Sequence, residues 1–151
     1  MKIFKFGGAS VKDAAGVRNV LHVLQTVGHE DVLVVISAMG KTTNALEVVI
    51  KNYFEKSKEL HASMQEVRKY HNQIVLDLFE DEEHPVFFDL NSLFDDLEYF
   101  IRSNKSPNYN FVYDQVVSFG ELVSTTIVSH FFNSQGLENT WIDVRPLIKT
   151  D

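Results

Sequence analysis

The run Asp31-Val32-Leu33-Val34-Val35-Ile36-Ser37 constrains the fold more than any other part of the chain. Its continuous Val, Leu and Ile residues lack the alternation of a strand that is wet on one side. They predict a strand covered on both faces, as in a parallel sheet. Parallel neighbours need a crossover connection, and the preceding residues supply one. Met1 to Phe6 reads as a short buried strand, which Gly7 and Gly8 break. A helix is predicted from about Asp13, with Val17, Val20, Leu21 and Leu24 on one face and Gly28 just past its end. Strand, helix and strand together make a βαβ unit.

A long helical region follows. Leu46, Val49, Ile50, Tyr53 and Phe54 form one apolar face; Val67, Tyr70, His71, Ile74, Val75 and Leu78 form a second. The acidic stretch Glu80 to Glu83 and Pro85 divide these from a third face of Phe87, Leu90, Phe94, Leu97 and Ile101. Ser103 to Asn110 reads as a loop. A helix resumes near Val112, is punctuated at Gly120 and runs on to Gly136. Thr140 to Val144 (TWIDV) is predicted as a third strand, stopped by Pro146. Three strands among five or six helices make a thin sheet, and parallel sheets need cover and managed edges. The chain therefore reads as the front of a larger α/β domain, ending at Lys149-Thr150-Asp151. Its missing cover predicts self-association into a homo-oligomer.

Composition excludes several functions. Hydrophobic residues make up 44% of the 151 and charged residues 23%, which argues against a disordered chain. A net charge of −7 argues against nucleic-acid binding through phosphate neutralisation, but a few local donors suffice for ATP. There is no cysteine, and the six histidines lack ligand spacing, so no protein-held metal site is expected. No signal-peptide pattern opens the chain, and no apolar stretch would span a bilayer. A cytoplasmic protein without a membrane partner is the expectation.

Three segments could carry chemistry. Lys5-Phe6-Gly7-Gly8-Ala9-Ser10 joins a strand to a helix. Paired glycines let a phosphate approach the backbone N–H groups, and a helix N-terminus adds a favourable field. Lys5 can set an ammonium beside phosphoryl oxygens, and Ser10 can cap or donate. An ordinary βα turn with an exposed lysine fits the same pattern. The segment is neither G-x-x-x-x-G-K-[ST] nor G-x-G-x-x-G. The second loop, Ser37 to Asn44 (SAMGKTTN), follows the second strand and opens at the same sheet end, where open parallel sheets bind ligands. Capping of the next helix by Thr or Asn is its plainer reading. The third segment is Ser118-Phe119-Gly120-Glu121. A glycine within a helical pattern costs roughly 1 kcal/mol against alanine, so close approach by a ligand or another backbone is expected there. Glu121 suits the helix dipole or accepts from a cationic substrate group.

Together these segments resemble the amino-acid kinase family, and within it the aspartate kinases. The matching stretches are KFGGASV at 5–11, VVISAMGKTTNAL at 34–46, SFGELVST at 118–125 and TWIDVR at 140–145, in order and spacing as well as letters. The resemblance spans nearly the whole chain and is weakest through 50–110. It implies an α/β fold, a three-layer αβα sandwich with a mostly parallel sheet, incomplete in this chain. Residues 1–151 would be the amino-terminal portion of the kinase domain, with no regulatory domain. It also implies that Lys5 is catalytic, that Lys5, Gly7, Gly8, Ser10 and Ser37 bind the ATP phosphates, and that Thr43 and Glu121 bind aspartate, with Glu121 facing its ammonium. Ala9 stands where the family usually has threonine. Asp143 and Arg145 lie in a family-like segment without an assigned role.

The implied activity is ATP- and Mg²⁺-dependent phosphorylation of the β-carboxylate of L-aspartate to 4-phospho-L-aspartate, the first step toward lysine, threonine and methionine. A model aspartate side chain has a pKa of about 3.9, so the nucleophile is already ionised. Catalysis then reduces to positioning and charge neutralisation. Two other readings stay open: another small-carboxylate kinase of the superfamily, or a non-catalytic binding or assembly fragment.

Overall fold

The computed structural model describes residues 1–148; the expected chain end at Lys149 to Asp151 lies outside the described residues. Two strands, β1 (Lys2–Phe6) and β2 (Val32–Ile36), pair in parallel with Lys2 opposite Val32 and Phe6 opposite Ile36. Helix α1 (Ala14–Val27) makes the crossover. Asp13 caps it, its carboxylate accepting from Gly16 N–H at 2.8 Å, and Gly28 ends it at φ 87°. Val17, Val20, Leu21 and Leu24 form its buried stripe. The βαβ unit is as the apolar pattern predicts.

Five helices complete the described chain. They are α2 (Thr42–Phe54), α3 (Leu60–Leu78), α4 (Pro85–Ser103), α5 (Tyr109–Val117) and α6 (Phe119–Ser134). Pro85 opens α4, where its missing N–H costs nothing, and Asn108 caps α5. α2 packs on α3 and α5, while α6 packs on α4 and reaches β2. The central helix α6 buries Leu122, Val123, Ile127, Val128, Phe131 and Phe132. That breadth, more than a stripe, marks a helix enclosed on several sides.

The sheet departs from the sequence reading on one face. Phe4, Phe6, Val32, Val34 and Ile36 pack against the core. The alternate residues do not: Ile3 is 62%, Leu33 42% and Val35 41% exposed. Composition cannot distinguish a strand covered on both faces from one whose second cover lies outside the described residues. The predicted third strand is corrected. Residues 140–144 are irregular, with Trp141, Ile142 and Val144 exposed. A strand exists only through a partner, and the backbone bonds found for this segment are local, while Trp141 Nε1 donates to Thr125 Oγ1 on α6 at 2.9 Å. Val144 O accepts from Leu147 and Ile148 N–H, and Arg145 N–H donates to Asp143. High β-propensity without a ladder does not make a strand.

Candidate functional site

The C-terminal ends of β1 and β2 lie side by side, and each runs into a tight loop. After β1, Gly7 is extended, and Gly8–Val11 form one 3₁₀ turn closed by Ser10 N–H to Gly7 O at 2.9 Å. Ser10 is exposed in that turn; because the turn intervenes, the cap of α1 falls to Asp13. After β2, Ser37 N–H continues the ladder to Phe6 O at 3.0 Å. Gly40 N–H then donates to Gly8 O, also at 3.0 Å, and ties the two loops together.

That tie explains one glycine and leaves the other open. A Cβ on Gly8 would sit 2.5 Å from Ala38 O and 3.0 Å from Gly40 O, so Gly8 is needed for loop-to-loop contact. A Cβ on Gly7 would meet nothing within 4 Å. The surface beside Gly7 is therefore where a ligand has room.

At the start of α2, Lys41 provides no side-chain cap. Thr42 N–H is taken by Met39 O and Ala45 N–H by Lys41 O. The N–H groups of Thr43 and Asn44 are left at the open helix end, where the helix field favours an anion. Capping of this helix by Thr or Asn is thus not seen. The Thr42 hydroxyl turns inward instead, 2.6 Å from Met39 O and 3.2 Å from His71 Nε2.

The third segment arrives from far along the chain. A short break at Ser118 separates α5 from α6, and Gly120 lies in the first turn of α6. A Cβ there would be 2.8 Å from Ala38 Cβ and 3.4 Å from Thr42 Cγ2. The close neighbour is the second loop. Exposed Glu121 reaches the same loop, its Oε1 accepting from Ala38 N–H at 3.4 Å, and Ser124 Oγ donates to Ser37 O at 2.7 Å. Gly8, Ser37, Thr43 and Glu121, from four separate elements, therefore gather at one end of the sheet. Lys5 is the penultimate residue of β1. Its register opposite Val35 puts its exposed side chain on the uncovered sheet face.

Two side chains that sequence reasoning left in a helical apolar face hold this arrangement. Tyr70 Oη donates to Lys12 O, and fully buried His71 links Thr42 to Val67 O, 2.8 Å from its Nδ1. Burial pushes the His71 pKa down to about 4, so the ring is neutral near pH 7. Burial, then Asp13, raises the Tyr70 phenol and keeps it a donor. A signal was present: an imidazole within an otherwise apolar face needs a buried partner. Beside Ser118 lies a groove of about 530 Å³, lined also by Asp114, Gln115, Asp143, Arg145 and Pro146. Arg145 Nη2 bonds Asp143 Oδ2 at 2.7 Å, lowering the Asp143 pKa and raising its own.

The chemistry this geometry allows is anion binding on backbone amides beside a carboxylate, at the carboxyl end of a parallel sheet. The amino acid kinase family model matches residues 1–150, and the chain belongs to that family. It is 29% identical over 150 residues to the bifunctional aspartokinase/homoserine dehydrogenase 2 of Escherichia coli (strain K12), covering 99% of this chain and 18% of that protein. It is 25% identical over 149 residues to the aspartokinase of Chlamydia trachomatis, covering 99% of this chain and 32% of that one. Its fold matches Escherichia coli aspartokinase III, solved with lysine and aspartate, at a TM-score of 0.82 and 22% identity, over 96% of this chain and 32% of that one. The same enzyme solved with aspartate and ADP gives 0.78 at 22% identity, over 96% and 31%. The chain thus spans less than a third of these relatives. No helix among the described residues is long and apolar enough to cross a membrane.

Proposed function

We propose that residues 1–151 are the amino-terminal, phosphate-turn and amino-acid-substrate portion of an aspartate kinase domain. The reaction is transfer of the γ-phosphoryl group of MgATP to the β-carboxylate of L-aspartate, giving 4-phospho-L-aspartate and ADP. The observation that carries this reading is the convergence on the second loop. Gly40 bonds Gly8 from one side, and Glu121 bonds Ala38 from the other, at 3.4 Å. A phosphate rim and an ammonium acceptor thereby become neighbours, as a nucleotide and an amino acid require.

Each residue has a task in this scheme. Gly7 leaves room for the phosphates, and Gly8 holds the rim. Ser10 and Ser37 border it. Lys5 reaches over the strand end to neutralise charge that builds on the transferring group. Glu121 takes the substrate ammonium, since its one bond to Ala38 leaves most of its acceptor capacity free. Thr43, half-buried in the first turn of α2, orients the substrate. Mg²⁺ enters as part of the nucleotide substrate and supplies charge neutralisation between phosphates; among the described residues no cluster of three or more His, Cys, Asp or Glu gathers to hold a metal. The acceptor carboxylate is ionised at neutral pH and needs no general base. The substrates suit a cytoplasmic enzyme at the entry to lysine, threonine and methionine synthesis.

The test is chemical trapping. The protein is incubated with MgATP, aspartate and hydroxylamine, and aspartyl hydroxamate is measured. Aspartate-dependent product should fall by about a hundredfold or more in Lys5→Ala, the scale of one lost electrostatic contact. Product only from a chain extended at its carboxyl end identifies the present chain as part of the site. An extended chain that phosphorylates another acid and ignores aspartate overturns the substrate assignment.

A further inference from the structure

We propose that Tyr70 and His71, adjacent on α3, are positioning residues that lock the two glycine loops into one rigid anion-binding rim. The inference rests on the phosphate-rim reading above and adds residues outside its motifs.

The two side chains divide the work. Tyr70 lies between the loops. Its hydroxyl donates to Lys12 O, just past the first loop, and it roofs Gly40, where a Cβ would lie 2.5 Å from Tyr70 Oη. Gly40 has φ +55°, a left-handed conformation that glycine adopts freely. Position 40 thus lacks a side chain for two reasons, one of which is the tyrosine above it. A phenol fixed to one loop and packed on the other restrains their separation.

His71 acts below. Val67 O can only accept, so the ring proton of the neutral imidazole sits on Nδ1. Nε2 then presents a lone pair 3.2 Å from Thr42 Oγ1, a second acceptor beside Met39 O for the one hydroxyl proton. Thr42 N–H and the Thr42 hydroxyl both lie at Met39 O, at 3.0 and 2.6 Å. The imidazole therefore fixes the turn from which the Thr43 and Asn44 amides project. Phe94 packs beside the ring, centroids 5.8 Å apart, and shields it from water. Removing the imidazole leaves Thr42 Oγ1 with Met39 O alone, and removing the phenol hydroxyl frees Lys12 O from the helix that packs on Gly40. Placement errors of about an ångström at such a rim carry rate or affinity losses of the order of a hundredfold.

The experiment compares the whole chain with Tyr70→Phe, His71→Ala and His71→Gln. Glutamine can place its amide oxygen, an acceptor like the Nε2 lone pair, near the position of Nε2. Amide hydrogen exchange is read at Gly40, whose N–H bonds Gly8, and at Val35, whose N–H faces β1 in the parallel ladder; MgADP affinity is read separately by titration. In Tyr70→Phe and His71→Ala, Gly40 exchange should rise by about tenfold or more while Val35 is unchanged, the mark of local opening. His71→Gln should recover most of the protection. MgADP binding should weaken in the same order. Gly40 exchange that is unchanged, or that rises only together with Val35, overturns the proposal, since the residues then serve the core alone. If the unaltered chain fails to bind MgADP, the nucleotide reading of this chain falls, and the exchange data still decide the locking role.

Discussion

Gly8 and His71 show how single residues set this site. Gly8→Ala would force a methyl group against the backbone oxygen of Ala38, 2.5 Å away, where no flexible side chain can yield. A loss of about 1–3 kcal/mol is expected, the usual range for overpacking, read as a lower midpoint in urea. Gly7→Ala meets no such obstacle and should leave stability nearly unchanged. His71 predicts acid sensitivity. Its pKa is near 6.5 unfolded and about 4 folded, so the unfolded chain binds the extra proton first. Stability is full above about pH 6.5 and falls as pH drops toward 4, by up to about 3 kcal/mol. Urea midpoints between pH 7 and 4 check this, and His71→Gln should flatten that part of the profile. The glycine turn is legible as a strand-to-helix break, which paired glycines announce in the backbone; its phosphate role belongs to the proposal. The role of His71 was not legible, because its partner Thr42 lies a whole helix earlier in the chain.

At the scale of elements, Gly120 decides how α6 meets the second loop. Alanine there gains about 1 kcal/mol of helix propensity. It also sets a methyl 2.8 Å from Ala38 Cβ and 3.4 Å from Thr42 Cγ2. Overpacking of about 1–3 kcal/mol outweighs the gain, so Gly120→Ala should destabilise. Adding Ala38→Gly should restore most of the loss; a double-mutant cycle in urea measures the coupling. Periodicity locates α1 to α4 well, because each carries its own buried stripe; the break before α6 falls at Ser118, two residues before the glycine that suggested it. Thr140 to Val144 marks the limit of that logic. A strand is a relation between two segments, and its own residues do not reveal whether a partner is beside it.

For the molecule as a whole, the uncovered sheet face is the conspicuous property. Ile3, Leu33 and Val35 line it, with Lys5 among them. Self-association through this face is expected, visible as a mass above 17.3 kDa by light scattering at micromolar concentration. Leu33→Glu with Val35→Glu should return the chain to monomer; a monomer over a wide concentration range before substitution would count against the expectation. The reading of two covered faces came from composition, which records what a strand is built for. Which cover is present is a property of the folded molecule.

The bonds that join α6 to the loops carry a consequence for timing. Glu121 meets Ala38 across 83 residues of chain, and Ser124 meets Ser37 across 87, whereas the Gly8 to Gly40 tie closes within the first βαβ unit. Distant closures cost more entropy and depend on prior collapse. As the chain emerges from a ribosome, the anion rim has all of its own backbone groups long before the acidic side chain that completes its neighbour exists. One half of the site is thus a local product of the first strands, and the other is delivered last.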